Sequence, residues 1–136
     1  MSKYSAFGTL LKRGATTIAA VTNISGPGLS LDTVDVTSHD STGAWEEVAA
    51  TILRSGEVSV DIVFDPNAAT HKNASGGLLY DLISRTAQTF SIVFPSTAAV
   101  TWSFSAFVTG FEPSAAHDGG LTATIKLKIT GQPTIA

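Results

Sequence analysis

The stretch Glu57-Val58-Ser59-Val60-Asp61-Ile62-Val63-Phe64-Asp65 decides the fold class. Val58, Val60, Ile62 and Phe64 fall on one side of an extended chain, and Glu57, Ser59, Asp61 and Asp65 on the other. That period of two marks a strand with one face on a core and one face in water. Leu121 to Gly131 repeats the pattern: Leu121, Ala123, Ile125, Leu127 and Ile129 oppose Thr122, Thr124, Lys126, Lys128 and Thr130. From Val100 to Phe111, Trp102, Phe104, Ala106 and Val108 oppose Thr101, Ser103, Ser105, Phe107 and Thr109. Phe90, Ile92 and Phe94 give a short strand stopped by Pro95, Thr16 to Ile24 is rich in β-branched residues, and Leu31 to Ser38 is a sixth candidate. Six strands exceed what one open sheet face buries alone, so the expected fold is mainly β, a sandwich or curled, barrel-like sheets.

One helix is expected over residues 75–87, flanking those sheets. Ser75 offers an N-cap and Leu78, Leu79, Leu82 and Ile83 form a single apolar stripe. A second helical spacing, Trp45, Val48, Ile52 and Leu53, is interrupted by Thr51 and ends at Ser55-Gly56, which leaves helix or loop open for that stretch. The whole segment from His39 to Arg54 lacks strand alternation, and a connection of that length in a compact domain is usually functional. Ser25-Gly26-Pro27-Gly28 and Asp118-Gly119-Gly120 are turn clusters, the latter joining the last two strands.

The 136 residues suit one domain, 1–136, with one core. There is no cysteine, hence no disulfide and no thiolate chemistry. Charged residues make up 14% of the chain, against about 25% in typical domains, while 43% is hydrophobic and the net charge is −3. That balance provides no basic stripe for phosphates. The apolar runs are far shorter than a membrane helix needs, and no signal peptide is evident, which points to a cytoplasmic origin. Scarce charge without a membrane segment hints at surface buried against other copies.

Candidate chemistry is thin. Ser38-His39-Asp40 is contiguous, whereas catalytic triads are assembled from residues distant in sequence. His39, His71 and His117 lie beside turn formers without metal-ligand spacing and read as solvated or hydrogen-bonded loop residues. Glu57, Asp61 and Asp65 share a strand face, which reads as a solvated acidic surface that repels phosphate rather than as an acid–base site. Trp45, Tyr80 and Trp102 form no exposed aromatic row of the kind a carbohydrate-binding module carries, since Trp102 alternates into the core. The residues by themselves indicate neither enzyme nor metal protein.

A longer ordered set of motifs carries a resemblance. Val36-Thr37-Ser38-His39-Asp40-Ser41-Thr42-Gly43 with Glu46-Glu47, Gly56-Glu57-Val58, Phe64-Asp65-Pro66, Gly77-Leu78-Leu79, Phe104 to Pro113 and Lys128-Ile129-Thr130-Gly131 resembles the major tail tube proteins of long, flexible-tailed bacteriophages. Ala44 departs from the pattern, where many relatives carry a second glycine, and the immunoglobulin-like domain that some relatives append is absent. The resemblance implies a β-sandwich flanked by a helix, similar in fold to type VI secretion tubes and to the inner tubes of contractile tails. It also implies hexameric rings stacked into a hollow tube, assembled in the host cytoplasm around a tape-measure protein and completed by terminator and distal tail proteins. Such a virion tail conducts the genome into the host without catalysis or cofactor.

On that reading the long loop 39–54 reaches the neighbouring ring through His39, Asp40, Trp45, Glu46, Glu47 and Ile52, and the N-terminal arm 1–14 does so through Lys12 and Arg13. Glu57, Ser59, Asp61 and Asp65 would line the lumen and keep passing double-stranded DNA from sticking, with Lys126 and Lys128 competing for the same space.

Overall fold

The computed structural model describes residues 3–40, 42–96 and 100–135. Met1 and Ser2 of the expected arm and Ser41 of the expected loop lie outside them. Among the described residues, nine strands and one α-helix follow in the order β1 Leu10–Arg13, β2 Thr16–Thr17, β3 Val21–Ser25, β4 Ser30–Asp35, β5 Val48–Arg54, β6 Glu57–Val63, α1 Leu78–Ser84, β7 Gln88–Val93, β8 Thr101–Ala115 and β9 Leu121–Ile135. Seven strands form one antiparallel sheet in the order β2-β1-β7-β8-β9-β6-β3, and β4 and β5 pair alone as a second sheet.

The large sheet curls until β1, near one edge, touches β3 at the other. The alternation read from the sequence sets which side of the curl is inside. Val58, Val60 and Ile62 of β6, Ala123, Ile125, Leu127 and Ile129 of β9, and Phe104, Ala106 and Val108 of β8 are buried together with Phe90, Ile92, Leu11 and Ile18. Trp102 only half follows this register, since its ring meets Phe94 edge-on near the rim. Bulges between Ser103 and Ser105 and between Val108 and Gly110 bend the two 15-residue strands β8 and β9, which lets them serve both walls of the curl.

Several expected boundaries are corrected. The helix Leu78–Ser84 follows the N-cap Gly77, which is extended and makes no side-chain cap, and stops before the C-cap Arg85, which is left-handed at φ 59°. It is therefore shorter than 75–87, and Ser75 is not its cap. Of its apolar stripe Leu78 is buried and Ile83 is exposed, and the helix packs on β8. Thr16 to Ile24 is not one strand but two, broken at Ala19-Ala20, where Ala20 has φ 58°. The segment 39–54 is neither a continuous loop nor a helix at 44–53. After a 3-10 turn at Thr42–Ala44 it becomes strand β5, which needs no alternation because neither of its faces is buried by the subunit.

Candidate self-assembly surfaces

The hairpin β4–β5 grows from a root where three glycines cross. A Cβ on Gly56, at φ 67°, would lie 2.6 Å from the Gly28 carbonyl oxygen, and one on Gly26, at φ 100°, would lie 2.5 Å from that of Glu57. Only glycine fits such backbone contacts, so the turn cluster at 25–28 and Ser55-Gly56 act together as one joint. The registers Leu10↔Val93, Val93↔Thr101, Trp102↔Ile135 and Ser25↔Ser59 place the joint, the start of β1 and the end of β9 at one end of the sheet. The hairpin leaves from that end.

Beyond the root the pairs are Ser30↔Arg54, Leu31↔Leu53, Thr33↔Ala50, Val34↔Ala49 and Asp35↔Val48. Asp32 binds Arg54 at 2.7 Å, and the Thr51 hydroxyl donates to the Asp32 carbonyl at 3.0 Å. Near the tip, hydrogen bonding by Thr37, through its side chain first and its backbone N–H second, holds the Asp35 carboxyl below its ordinary range. At the tip Gly43, φ 65°, sits against the ring of Trp45, which is 78% exposed.

The predicted contact residues divide between this hairpin and the body. Trp45 and Ile52 are exposed apolar side chains, Ile52 within β5, and His39, Asp40, Glu46 and Glu47 are exposed around the tip. Leu31, Val34, Val36, Val48 and Leu53, all about half exposed or more, extend the same apolar surface and were not among the contact residues expected from the sequence. The legible signal was their clustering without alternation. Two cavities flank the root. One of about 640 Å³ is lined by Tyr4, Phe7, Leu10, Val21, Ile24 and Phe94 among others. The other, about 390 Å³, is lined by Leu29, Leu53, Pro133 and Ile135 with neighbouring polar residues.

Of the expected N-terminal arm, Leu10–Arg13 is built into the large sheet against β7. Lys12 pairs with Ser91 on the outward face, whereas Arg13 pairs with Phe90 and points inward. There its Nε and Nη2 donate to both carboxylate oxygens of Asp81 at 2.6 and 2.8 Å. Asp81 is fully buried, and those hydrogen bonds outweigh burial in raising the Arg13 pKa. Arg13 is thus committed inside its own subunit, tying β1 to α1. A lone aspartate within the apolar stripe of α1 was the sequence signal for its partner.

On β6 the outward face carries Glu57, Ser59 and Asp61, as the alternation requires. Asp65 is not on it: the strand ends at Val63, and the Asp65 carboxylate accepts the Asn67 N–H at 2.9 Å in the following turn. Nor is the face purely acidic. Glu57 stands opposite Lys128, and Ser59 opposite Lys126. Asp61 accepts hydrogen bonds from the Thr124 hydroxyl at 3.0 Å and the Asn23 amide at 3.3 Å. The outward face of β6 and β9 therefore sets two acids against two lysines among many hydroxyls, and Glu112 of β8, opposite Thr124, adds a third acid to it.

His71 is buried in the loop before α1, with Nε2 2.8 Å from the Ala19 carbonyl and Nδ1 accepting the Asp65 N–H. This makes it a hydrogen-bonded structural residue. Among the described residues no three His, Asp or Glu side chains gather as a metal site, and no helix is long and apolar enough to cross a membrane.

Comparison with solved structures shows where this architecture recurs. A chain from the virion of a native gene transfer agent particle superposes with TM-score 0.77 at 20% identity, over 98% of this chain and 99% of that one. A chain from the sheath/tube terminator of an extracellular contractile injection system, in the extended state, gives TM-score 0.74 at 17% identity, over 100% and 98%. The SPP1 tail tube gives 0.59 at 12% identity, over 94% and 76%. Comparison with curated protein sequences yields no match. The model of the lambda phage tail tube protein family matches residues 3–136, nearly the whole chain. By that match the protein belongs to the lambda phage tail tube protein family.

Proposed function

We propose that the chain, over 1–136 as one unit, is the repeating subunit of a hollow phage tail tube, forming hexameric rings that stack into the conduit for genome delivery. Family membership supports the reading, and one physical observation carries it. The subunit exposes 8757 Å², whereas a compact monomer of its 14.0 kDa exposes about 6,700 Å². The excess is about 2,000 Å², and two standard interfaces take about 800 Å² each from one partner. A chain that exposes this much surface, apolar where it projects, is built to be covered by its neighbours. A head-to-tail contact either closes into a ring or propagates, and a tube uses both.

In this reading the hairpin, with Trp45 at its tip, and the segment before β1 make the contacts between rings. The outward face with Glu57, Ser59, Asp61, Lys126 and Lys128 lines the lumen. Its cross-strand balance of charge, rather than an acidic row, supports passage of double-stranded DNA without attraction, because no net basic surface accumulates to bind phosphate. A tape-measure protein inside and terminator proteins at the ends complete the assembly. The fold is shared with injection-system tubes, and the phage reading is preferred because the family match covers nearly the whole chain.

Negative-stain electron microscopy of the purified protein tests this. Long hollow tubes with sixfold end views are expected. Monomers at millimolar concentration overturn it. Replacing Glu57 and Asp61 by Lys makes the proposed lumen basic, and should slow DNA delivery while tubes stay intact. Normal infectivity would remove that face from the lumen.

A further inference from the structure

Seven aspartates and three asparagines occur in the chain, and of these Asp118 alone is followed by glycine. It sits where the two longest strands turn back on each other. The last pair of their ladder is Ala115↔Leu121, so residues 116–120 lie outside it, and His117, Asp118, Gly119 and Gly120 are exposed. The Gly119 N–H donates to the Ala116 carbonyl at 3.3 Å, at the long limit of a hydrogen bond.

The carboxylate of Asp118 also differs from the others. Those of Asp32, Asp61 and Asp81 are held by Arg54, Thr124 and Arg13, and those of Asp35 and Asp65 by the backbone N–H groups of Thr37 and Asn67. Among the described residues Asp118 has no such partner. Its side chain is thus unheld, beside a backbone nitrogen that no Cβ shields, in a Gly-Gly segment with wide conformational freedom.

We propose that Asp118–Gly119 is a site of spontaneous modification, the conversion of aspartate to isoaspartate. The Gly119 nitrogen attacks Asp118 Cγ. The N–Cγ bond forms, the carboxyl OH leaves with the amide hydrogen as water, and a five-membered succinimide closes. Water then adds at the Asp118 backbone carbonyl carbon, and the bond from that carbon to the Gly119 nitrogen breaks. The chain now runs through Cγ, and a carboxylate remains on Cα. One water is lost and one regained, no electrons are exchanged, and mass is unchanged. The backbone gains one methylene, which falls inside the turn. With Ala115↔Leu121 closing the ladder on either side, β8 and β9 keep their register, so modified chains stay folded and accumulate. The site does not depend on the tube reading; on that reading, a finished tail that does not renew its subunits records its age at this turn.

The test ages the purified full chain for weeks at neutral pH in heavy-oxygen water, both native and in urea. Isoaspartate is read by isoaspartyl methyltransferase with a labelled methyl donor, and its position by fragmentation of the labelled peptides. Label and methylation are expected at Asp118, at a native rate no more than about threefold below that in urea, because an exposed loop needs no unfolding to react. Asp118→Glu, which keeps the charge but would need a larger ring, should lose both signals with an unchanged circular dichroism spectrum. A native rate further below that in urea, modification at other positions without Asp118, or methylation that persists in Asp118→Glu overturns the proposal.

Discussion

The curled sheet and the hairpin are made of similar residues, valine, leucine, isoleucine and threonine, yet one buries them and the other displays them. In β6 and β9 apolar residues alternate with Ser, Thr, Lys and acids, so each strand has one dry and one wet side. In β4 and β5 Leu31 and Val34 point to opposite faces of the same short ladder, and no residue is buried. Strand pattern thus separates a wall that finishes itself from an element that needs others. The wall is stable by folding; on the proposed reading the hairpin is completed by assembly.

Mutations should separate the two regions, and the largest effects belong to the wall. Phe90, wholly buried and stacked near Phe104 at 6.4 Å, should cost about 3–5 kcal/mol as Phe90→Ala in urea unfolding. Asp81→Ala strands the Arg13 guanidinium beside a buried cavity and should cost about 3 kcal/mol, much of it recovered in the Arg13→Met, Asp81→Ala double variant. Equal losses in the single and double variants would mean that the ion pair acts only by filling space.

At the joint between the regions, Gly56→Ala forces a methyl group against the Gly28 carbonyl at positive φ, and should cost about 1–3 kcal/mol. Its tubes, where they form, should be fewer than those of a wall variant of equal stability. Leu53→Ala, by contrast, should leave subunit stability within about 0.5 kcal/mol of wild type while reducing polymerisation, read as a raised critical concentration. The smallest effect concerns pH. The folded Asp35 carboxyl sits below its ordinary value of 3.8, so its contribution is complete above that value and is lost as pH falls through the lowered one. Amide exchange at Thr37 should accelerate in that acid window, and Asp35→Asn should abolish the pH dependence.

The sequence was legible where one face of a strand meets the core. The alternation at 57–63, 101–108 and 121–129 located the inside of the curl nearly residue by residue. It was illegible at 39–54, because periodicity reports burial and β5 has none within the subunit. The spacing of Trp45, Val48, Ile52 and Leu53 imitated a helix only because apolar residues were needed on both sides of a ribbon. Glu57, Ser59 and Asp61 were placed correctly on one face, but their lysine partners depend on the β6–β9 register, which joins residues about 70 apart and leaves no local mark. Arg13 was assigned outward for the same reason: its partner Asp81 lies 68 positions away.

The sheet order has a consequence for synthesis. The two long strands β8 and β9 occupy the middle of the seven-stranded sheet, between β7 on one side and β6 on the other, yet the ribosome makes them after every strand they join. The hairpin pairs with itself and can form early, while β1 must wait for β7 and β3 keeps only β6 until β9 arrives. Contacts so distant in sequence close slowly. A nascent chain therefore cannot close its wall until β9 has been made, and before then its two-stranded ribbon, marginal by itself, has no sheet beside it.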